Sequence, residues 1–311
     1  MLTTASAPGK IILLGEHAVV YGRPAIAVPV WETVATATIT DLPAGSHCVL
    51  IAPDIGLQTR LIDAPESLAL ALVVRLTLAR LDLPPDPNWQ ITVASTIPIA
   101  SGLGSGAALS TALVRALYAH TGQPVTPAVV SELVFESERL YHGTPSGIDN
   151  TVIAYGLPVW FVKGQSPTIF TPRQPFTLVI ADSGIAAPTK TTVADVRLGW
   201  QADPVGYERR FDAIAQLTVA ARQAIEEGEI AELGPLFDRN QALLVELGVS
   251  SLPLERLTQA AKTAGALGAK LSGGGRGGNV IALVGPEKIM AVQQALFANG
   301  AKSALVTTIK A

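Results

Sequence analysis

Leu109, Leu113 and Leu117 recur every four residues, with Ala107, Ala108 and Ala112 around them, and this spacing predicts a helix over 105–120. Ahead of it, Ile91, Val93 and Ile97 are the apolar positions of a strand over 90–97. Ile11–Leu14 is an unbroken apolar run, read as a buried strand that Gly15 ends, and residues 27–39 continue as a strand pair through Pro29 and Trp31. Turn-forming residues fill 41–46. The apolar stretch at 66–81 reads as a helix closed by the proline-rich segment 83–88. It is short and carries Arg75 and Arg80, which suits a buried helix and not a membrane span. Thr126 followed by Pro127 marks an N-cap and first helical position for a helix running to about Tyr141.

The second half alternates in the same way. Residues 152–162 contain Tyr155-Gly-Leu-Pro158 and a hydrophobic strand, and 176–181 form a buried strand ending at Asp182. A long helical stretch begins at 187–192. Helices are expected over 211–227, over 230–248 with interruptions at Gly228 and Gly234, and over 254–266. A strand at 280–284, a helix at 286–299 and a strand at 303–309 complete the chain. The polar, proline-containing stretch 163–175 is the expected boundary between two domains, 1–168 and 169–311.

Between the 90–97 strand and the 105–120 helix lies Pro98-Ile-Ala-Ser-Gly-Leu-Gly-Ser-Gly-Ala107, with three glycines in five residues. A glycine loop opening directly into a helix presents unpaired backbone N–H groups and the positive end of the helix dipole, which suits a phosphate. A flexible connector is the plainer reading. No G-x-x-x-x-G-K-[ST] occurs, so a Walker-type site is excluded. Gly102, Gly104 and Ala107 fit a dinucleotide fingerprint but lack the acidic residue about twenty positions on. Gly273, Gly275 and Gly278 fit one too, but a strand-like run follows where a helix is required.

Composition adds limits. The 311 residues are 49% apolar and 15% charged, enough for one large or two ordinary cores and against disorder. Lys plus Arg number 22 against 25 Asp plus Glu, with no block of like charge, which argues against a nucleic-acid partner and leaves any phosphate to a local site. The single cysteine, Cys48, permits no internal disulfide, and the N-terminus has no basic segment before an apolar one; a cytoplasmic location is expected. Lys10, Glu16 and His17 flank the Ile11–Leu14 strand as a possible site wall, though each alone is more often simply solvated. The constrained turn His142-Gly-Thr-Pro-Ser-Gly-Ile-Asp149 fixes the direction of Asp149, which is either a catalytic group or a helix cap.

These segments together resemble the GHMP kinases, named for galacto-, homoserine, mevalonate and phosphomevalonate kinases. The first motif of that family is similar to 7–22 here, the nucleotide loop to 98–109 and the third motif to 270–279. Segments 142–150 and 240–250 are most like the members that phosphorylate mevalonate. The resemblance implies an α/β (α+β) fold, with an N-terminal domain like the second domain of ribosomal protein S5 and a C-terminal ferredoxin-like domain. It implies transfer of the γ-phosphoryl group of ATP to the C5 hydroxyl of mevalonate, with Mg²⁺ as cofactor, no membrane partner, and a homodimer left open. Asp149 would take or orient the hydroxyl proton, with Lys10 beside it. Glu138 and Ser105 would hold the metal, and Glu16, His17, Thr189 and Lys190 would line the acceptor pocket. The nucleotide would rest on Pro98, Ser101, Gly102, Leu103, Gly104, Ser105, Gly106 and Ala107, and on Gly273, Gly274 and Gly275. Two departures stand out: Gly106 where the family usually has serine, and Arg276 within a loop that is usually glycine. Other acceptors in the family (phosphomevalonate, another position of mevalonate, a sugar) stay open. So does a non-catalytic binder, against which the intact Lys10, Glu138 and Asp149 argue.

Overall fold

The computed structural model describes residues 1–98, 101–142, 145–186 and 189–311, with only the backbone of 141 and 142. The expected turn at 143–144, the start of the helix at 187–188, and Ile99 and Ala100 of the glycine loop lie outside the described residues. By contact the chain divides into two compact units. One comprises 1–10, 33–98 and 103–156, and the other 11–32, 99–102 and 157–311.

Strand β1 (Leu2–Leu14) pairs with β2 (Ala25–Asp41), and the first unit contains β1 up to Lys10 and β2 from Thr33 on. Then β3 (Val49–Ala52) and β4 (Leu57–Arg60) form an antiparallel pair, and β3 runs parallel to β5 (Trp89–Ser95). The C-terminal half of β2 pairs antiparallel with β5, from Ala35 opposite Ser95 to Asp41 opposite Trp89. Four helices follow or precede: α1 (Ala69–Arg80), α2 (Ser105–His120), α3 (Pro127–His142) and α4 (Ile148–Tyr155). Helix α2 is central to them: Ala108, Ala112, Leu113, Ala116 and Leu117 are fully buried, and the helix packs against α1, α3 and α4. The one cysteine, Cys48, is buried at the start of β3, and burial, with Asp86 adding to it, pushes its thiol up to about 12.

The second unit contains the N-terminal half of β2, paired with β6 (Val159–Phe161), which pairs with β7 (Thr168–Ile169). Its main sheet is fully antiparallel in the order β11-β8-β10-β9, from β8 (Phe176–Asp182), β9 (Gly268–Ser272), β10 (Asn279–Val284) and β11 (Ser303–Ile309). Strands β9 and β10 are buried at every residue, which requires cover on both faces. Helices α5 (Thr189–Ala202), α6 (Pro204–Glu227), α7 (Leu233–Glu246), α8 (Leu252–Thr263) and α9 (Ile289–Ala298) complete this unit. Phe211, Ile214, Leu244, Leu254, Leu257 and Val292 build its core.

Several expectations change. The strand pair at 27–39 is one continuous strand that passes through Pro29 and Trp31. Gly234 does not interrupt a helix; it lies in the first turn of α7, where the backbone at Leu267 comes too close for any side chain. Within 152–162 the first four residues belong to helix α4, and the strand is confined to 159–161. Among the described residues no helix is long and apolar enough to cross a membrane.

Candidate active site

The first unit assembles a carboxylate, an ammonium and a helix N-terminus. Gly147 adopts φ 91° and starts α4, so Asp149 stands in the first turn of that helix. Its Oδ1 lies 2.9 Å from Lys10 Nζ. Lys10 is buried on β1, and its backbone N–H donates to Leu103 O at 2.9 Å, which ties the strand to the glycine loop. Gly104, at φ 77°, is the residue before α2, and a Cβ there would lie 2.9 Å from Ile153 Cδ1 and 3.0 Å from Lys10 Cγ. The loop therefore crosses directly over the Lys10 stem, which only glycine permits. Ala108 N–H is the first amide of α2 to find an intrahelical acceptor, Gly104 O at 2.9 Å. The amides of Ser105, Gly106 and Ala107 have none within the helix, which leaves donors of the kind that suit an anion at this end of α2.

Glu138, buried on α3, joins this cluster. Burial first, and the neighbouring Asp149 carboxylate second, push its carboxyl up to about 7, while Lys10 pulls the other way. A side chain begun at Gly106 would place its Cβ 3.6 Å from Glu138 Oε1, so the first turn of α2 faces this carboxylate. Glu138 and Ser105, the residue before Gly106 in the first turn of α2, are hard oxygen donors, the type that Mg²⁺ takes. Among the described residues no group of three or more His, Cys, Asp or Glu side chains is placed to hold a metal. An ion here would need phosphate oxygens and water to complete its shell, as Mg²⁺ commonly does in nucleotide sites.

The second unit holds a separate polar cluster. Glu16, expected as part of an acceptor wall, is 1% exposed and is taken up by an ion pair with Lys270 on β9 and by Asn240 Nδ2 at 3.1 Å. Burial raises the Glu16 pKa and lowers that of Lys270, each opposed by the other's charge. Ser272 Oγ donates to Ile12 O at 2.8 Å and accepts from Ile12 N–H at 3.2 Å, so the 11–17 segment is fastened to β9 twice. His17 is buried with φ 60°, and its Nε2 is 3.0 Å from Gly274 O. A carbonyl oxygen only accepts, so Nε2 carries the proton and Nδ1 is left as an acceptor. Burial lowers the His17 pKa to about 4, so the ring is neutral at pH 7.

Thr189 opens α5 and faces the glycine-rich loop 273–278: a Cβ on Gly274 would lie 2.8 Å from Thr189 Oγ1. Lys190 is exposed next to it. Gly275 abuts Val249 so closely that no side chain fits, and Asn279 Nδ2 donates to Ser101 O. The structure thus brings Lys10, Glu138, Asp149, Leu103, Gly104 and Gly106 together in one unit, and His17, Thr189 and Gly274 together in the other. Arg276, the one non-glycine residue of the 273–278 loop, is partly exposed and is partnered. Its guanidinium pairs with Asp195, and its backbone N–H goes to Val249 O at 2.7 Å. The partners Lys270, Asn240 and Asp195 were not among the expected site residues.

The model of the GHMP kinases N terminal domain matches residues 68–156, and that of the GHMP kinases C terminal matches 221–302. The mevalonate kinase of Thermococcus sibiricus is 34% identical over 313 residues, covering 95% of this chain and 93% of its own. The chain belongs to the GHMP kinases. Like other GHMP kinases it uses ATP. The Aeropyrum pernix mevalonate kinase is also 34% identical, over 90% of this GHMP kinase and 87% of its own length. Among solved structures, L. major mevalonate kinase in complex with R-mevalonate matches with a TM-score of 0.83 and 30% identity, covering 99% of this chain and 95% of the other. A Streptococcus pneumoniae phosphomevalonate kinase in complex with phosphomevalonate and AMPPNP shares the fold at a TM-score of 0.83, with 15% identity.

Proposed function

We propose that this GHMP kinase phosphorylates mevalonate at its C5 hydroxyl, yielding 5-phosphomevalonate and ADP. The observation that carries the catalytic part is the Lys10–Asp149 pair, 2.9 Å apart beside the amino end of α2. Phosphoryl transfer requires little covalent chemistry from the protein, chiefly an aligned hydroxyl and positive charge around the transferring group. Asp149 accepts the C5 hydroxyl proton as that oxygen bonds to the γ-phosphorus, and the bond from phosphorus to the bridging oxygen breaks to release ADP. Lys10 fixes the Asp149 carboxylate and sets an ammonium where negative charge gathers. The free amides of Ser105, Gly106 and Ala107, with Gly102–Gly104 before them, bind phosphate oxygens, and Gly273–Gly275 contribute a second glycine surface. Glu138 and Ser105 would hold Mg²⁺, which would supply charge neutralisation on the nucleotide. His17 Nδ1 and Thr189 Oγ1 hydrogen-bond the acceptor, and Lys190 meets its carboxylate.

The test is ADP release dependent on mevalonate with ATP and Mg²⁺, together with Asp149→Asn. Loss of the base is expected to lower kcat by about 10²–10⁴-fold while ATP affinity measured by calorimetry holds. ADP release with phosphomevalonate or galactose and none with mevalonate would overturn the acceptor assignment. An Asp149→Asn enzyme with unchanged kcat would overturn the role of the carboxylate.

A further inference from the structure

Arg276 stands in a loop where every neighbour in 273–278 is glycine, and it alone of these has a side chain to accommodate at φ 60°. A non-glycine residue in that region is strained and persists where the surroundings hold it. Here three groups hold it. The backbone N–H donates to Val249 O at 2.7 Å, Nε donates to Gly248 O at 3.2 Å, and Nη1 pairs with Asp195. The first two acceptors follow the end of α7, and the third lies on α5.

Helix α5 has few anchors of its own. Of its 14 residues only Thr192 and Val196 are buried. Its C-terminal end is fixed to α6, because Gly199 leaves no room for a Cβ against the Tyr207 ring and Trp200 Nε1 donates to Glu208 Oε1 at 2.9 Å. Its N-terminal half meets the glycine loop at Thr189 against Gly274, and again at Asp195 against Arg276. Gly274 is in turn held through its carbonyl by His17.

We propose that Arg276 is a positioning residue that sets acceptor affinity by clamping the first two turns of α5 onto the 273–278 loop, so that Thr189 and Lys190 are held ready beside His17. The proposal rests on the acceptor reading given above. An isolated half-exposed ion pair contributes little. This one is a fork to two elements plus a backbone hydrogen bond, a geometry available to arginine and not to lysine. Glycine at 276 would relieve the backbone and lose the clamp, so the two effects separate.

Arg276→Gly and Asp195→Ala are each expected to raise KM for mevalonate about 3- to 10-fold, with kcat and KM for ATP within about twofold of wild type. Because both variants break one contact, the double variant should match the worse single one and not multiply the two. Arg276→Lys keeps the charge without the fork and should fall between wild type and Arg276→Gly. Hydrogen exchange at the amides of 190–196 should quicken in both single variants, with no change in α8 and α9. Asp195→Ala, at a half-exposed helical position, keeps the test available should Arg276→Gly fold poorly. Unchanged KM for mevalonate in both variants, or multiplicative effects in the double, overturns the proposal while leaving the kinase assignment standing. Wild-type protein that releases no ADP with mevalonate overturns both, and unchanged exchange in α5 removes the clamp itself.

Discussion

Gly104 carries a disproportionate share of the site. Its left-handed backbone ends the loop, and the missing side chain is what lets Lys10 pass beneath. Gly104→Ala is expected to lower unfolding free energy by about 1–3 kcal/mol, from strain plus a clash with Lys10 and Ile153. It should also lower kcat, because Lys10 shifts away from Asp149. A urea midpoint and a turnover rate both equal to wild type would contradict this. At this scale the sequence was informative about chemistry and weak about burial. Lys10, Asp149 and Glu138 could be named from their motifs, and they meet. Glu16 could be named as well, but the lysine that claims it lies 254 positions away, a distance no local pattern reveals. Arg276 could be flagged as odd in a glycine loop, yet its partner Asp195 looked like any exposed helical carboxylate.

Elements with strong periodicity were legible, and those defined by tertiary contact were not. Helix α2 runs over the residues its leucine spacing marks, since Leu113 and Leu117 face the same buried side. Strand β9 escaped notice because Gly268, Ala269 and Lys270 carry no strand signature; burial between α7, α8 and β10 is what makes them one. The short β3–β4 pair, four residues each, offered too little pattern to read. The Glu16–Lys270 pair joins the end of β1 to β9, and its value can be measured at this scale. Lys270→Met leaves an unpaired buried carboxylate and should destabilise by about 3–5 kcal/mol. Glu16→Gln combined with Lys270→Met should recover part of that loss, since neither charge remains. A double variant less stable than Lys270→Met alone would show that the pair is not the fastening it is taken for.

Across the whole molecule, two buried groups pull stability in opposite directions with pH. His17 has its pKa lowered from 6.5 to about 4, so between these values the unfolded chain binds the proton and the native one does not; stability from this group is lost as pH falls. Glu138 has its pKa raised from 4.5 to about 7, so over that span the native protein binds the proton and stability is lost as pH rises. In metal-free protein the two contributions nearly cancel from about pH 4.5 to 6.5. His17→Asn, which tolerates the positive φ, should tilt the stability curve downward with rising pH relative to wild type. Glu138→Gln should tilt it upward. Each change in slope should approach one proton, about 1.4 kcal/mol per pH unit, measured by urea unfolding across that range. Parallel curves for wild type and either variant would contradict the corresponding assignment. The burial of Cys48 has a use at the bench. With the chain's one native sulfhydryl sealed off and scarcely ionised, a maleimide dye finds no competitor when a cysteine is introduced on the outer side of α5, as in Ala194→Cys. The fluorophore then reports on that helix alone, in otherwise unaltered protein.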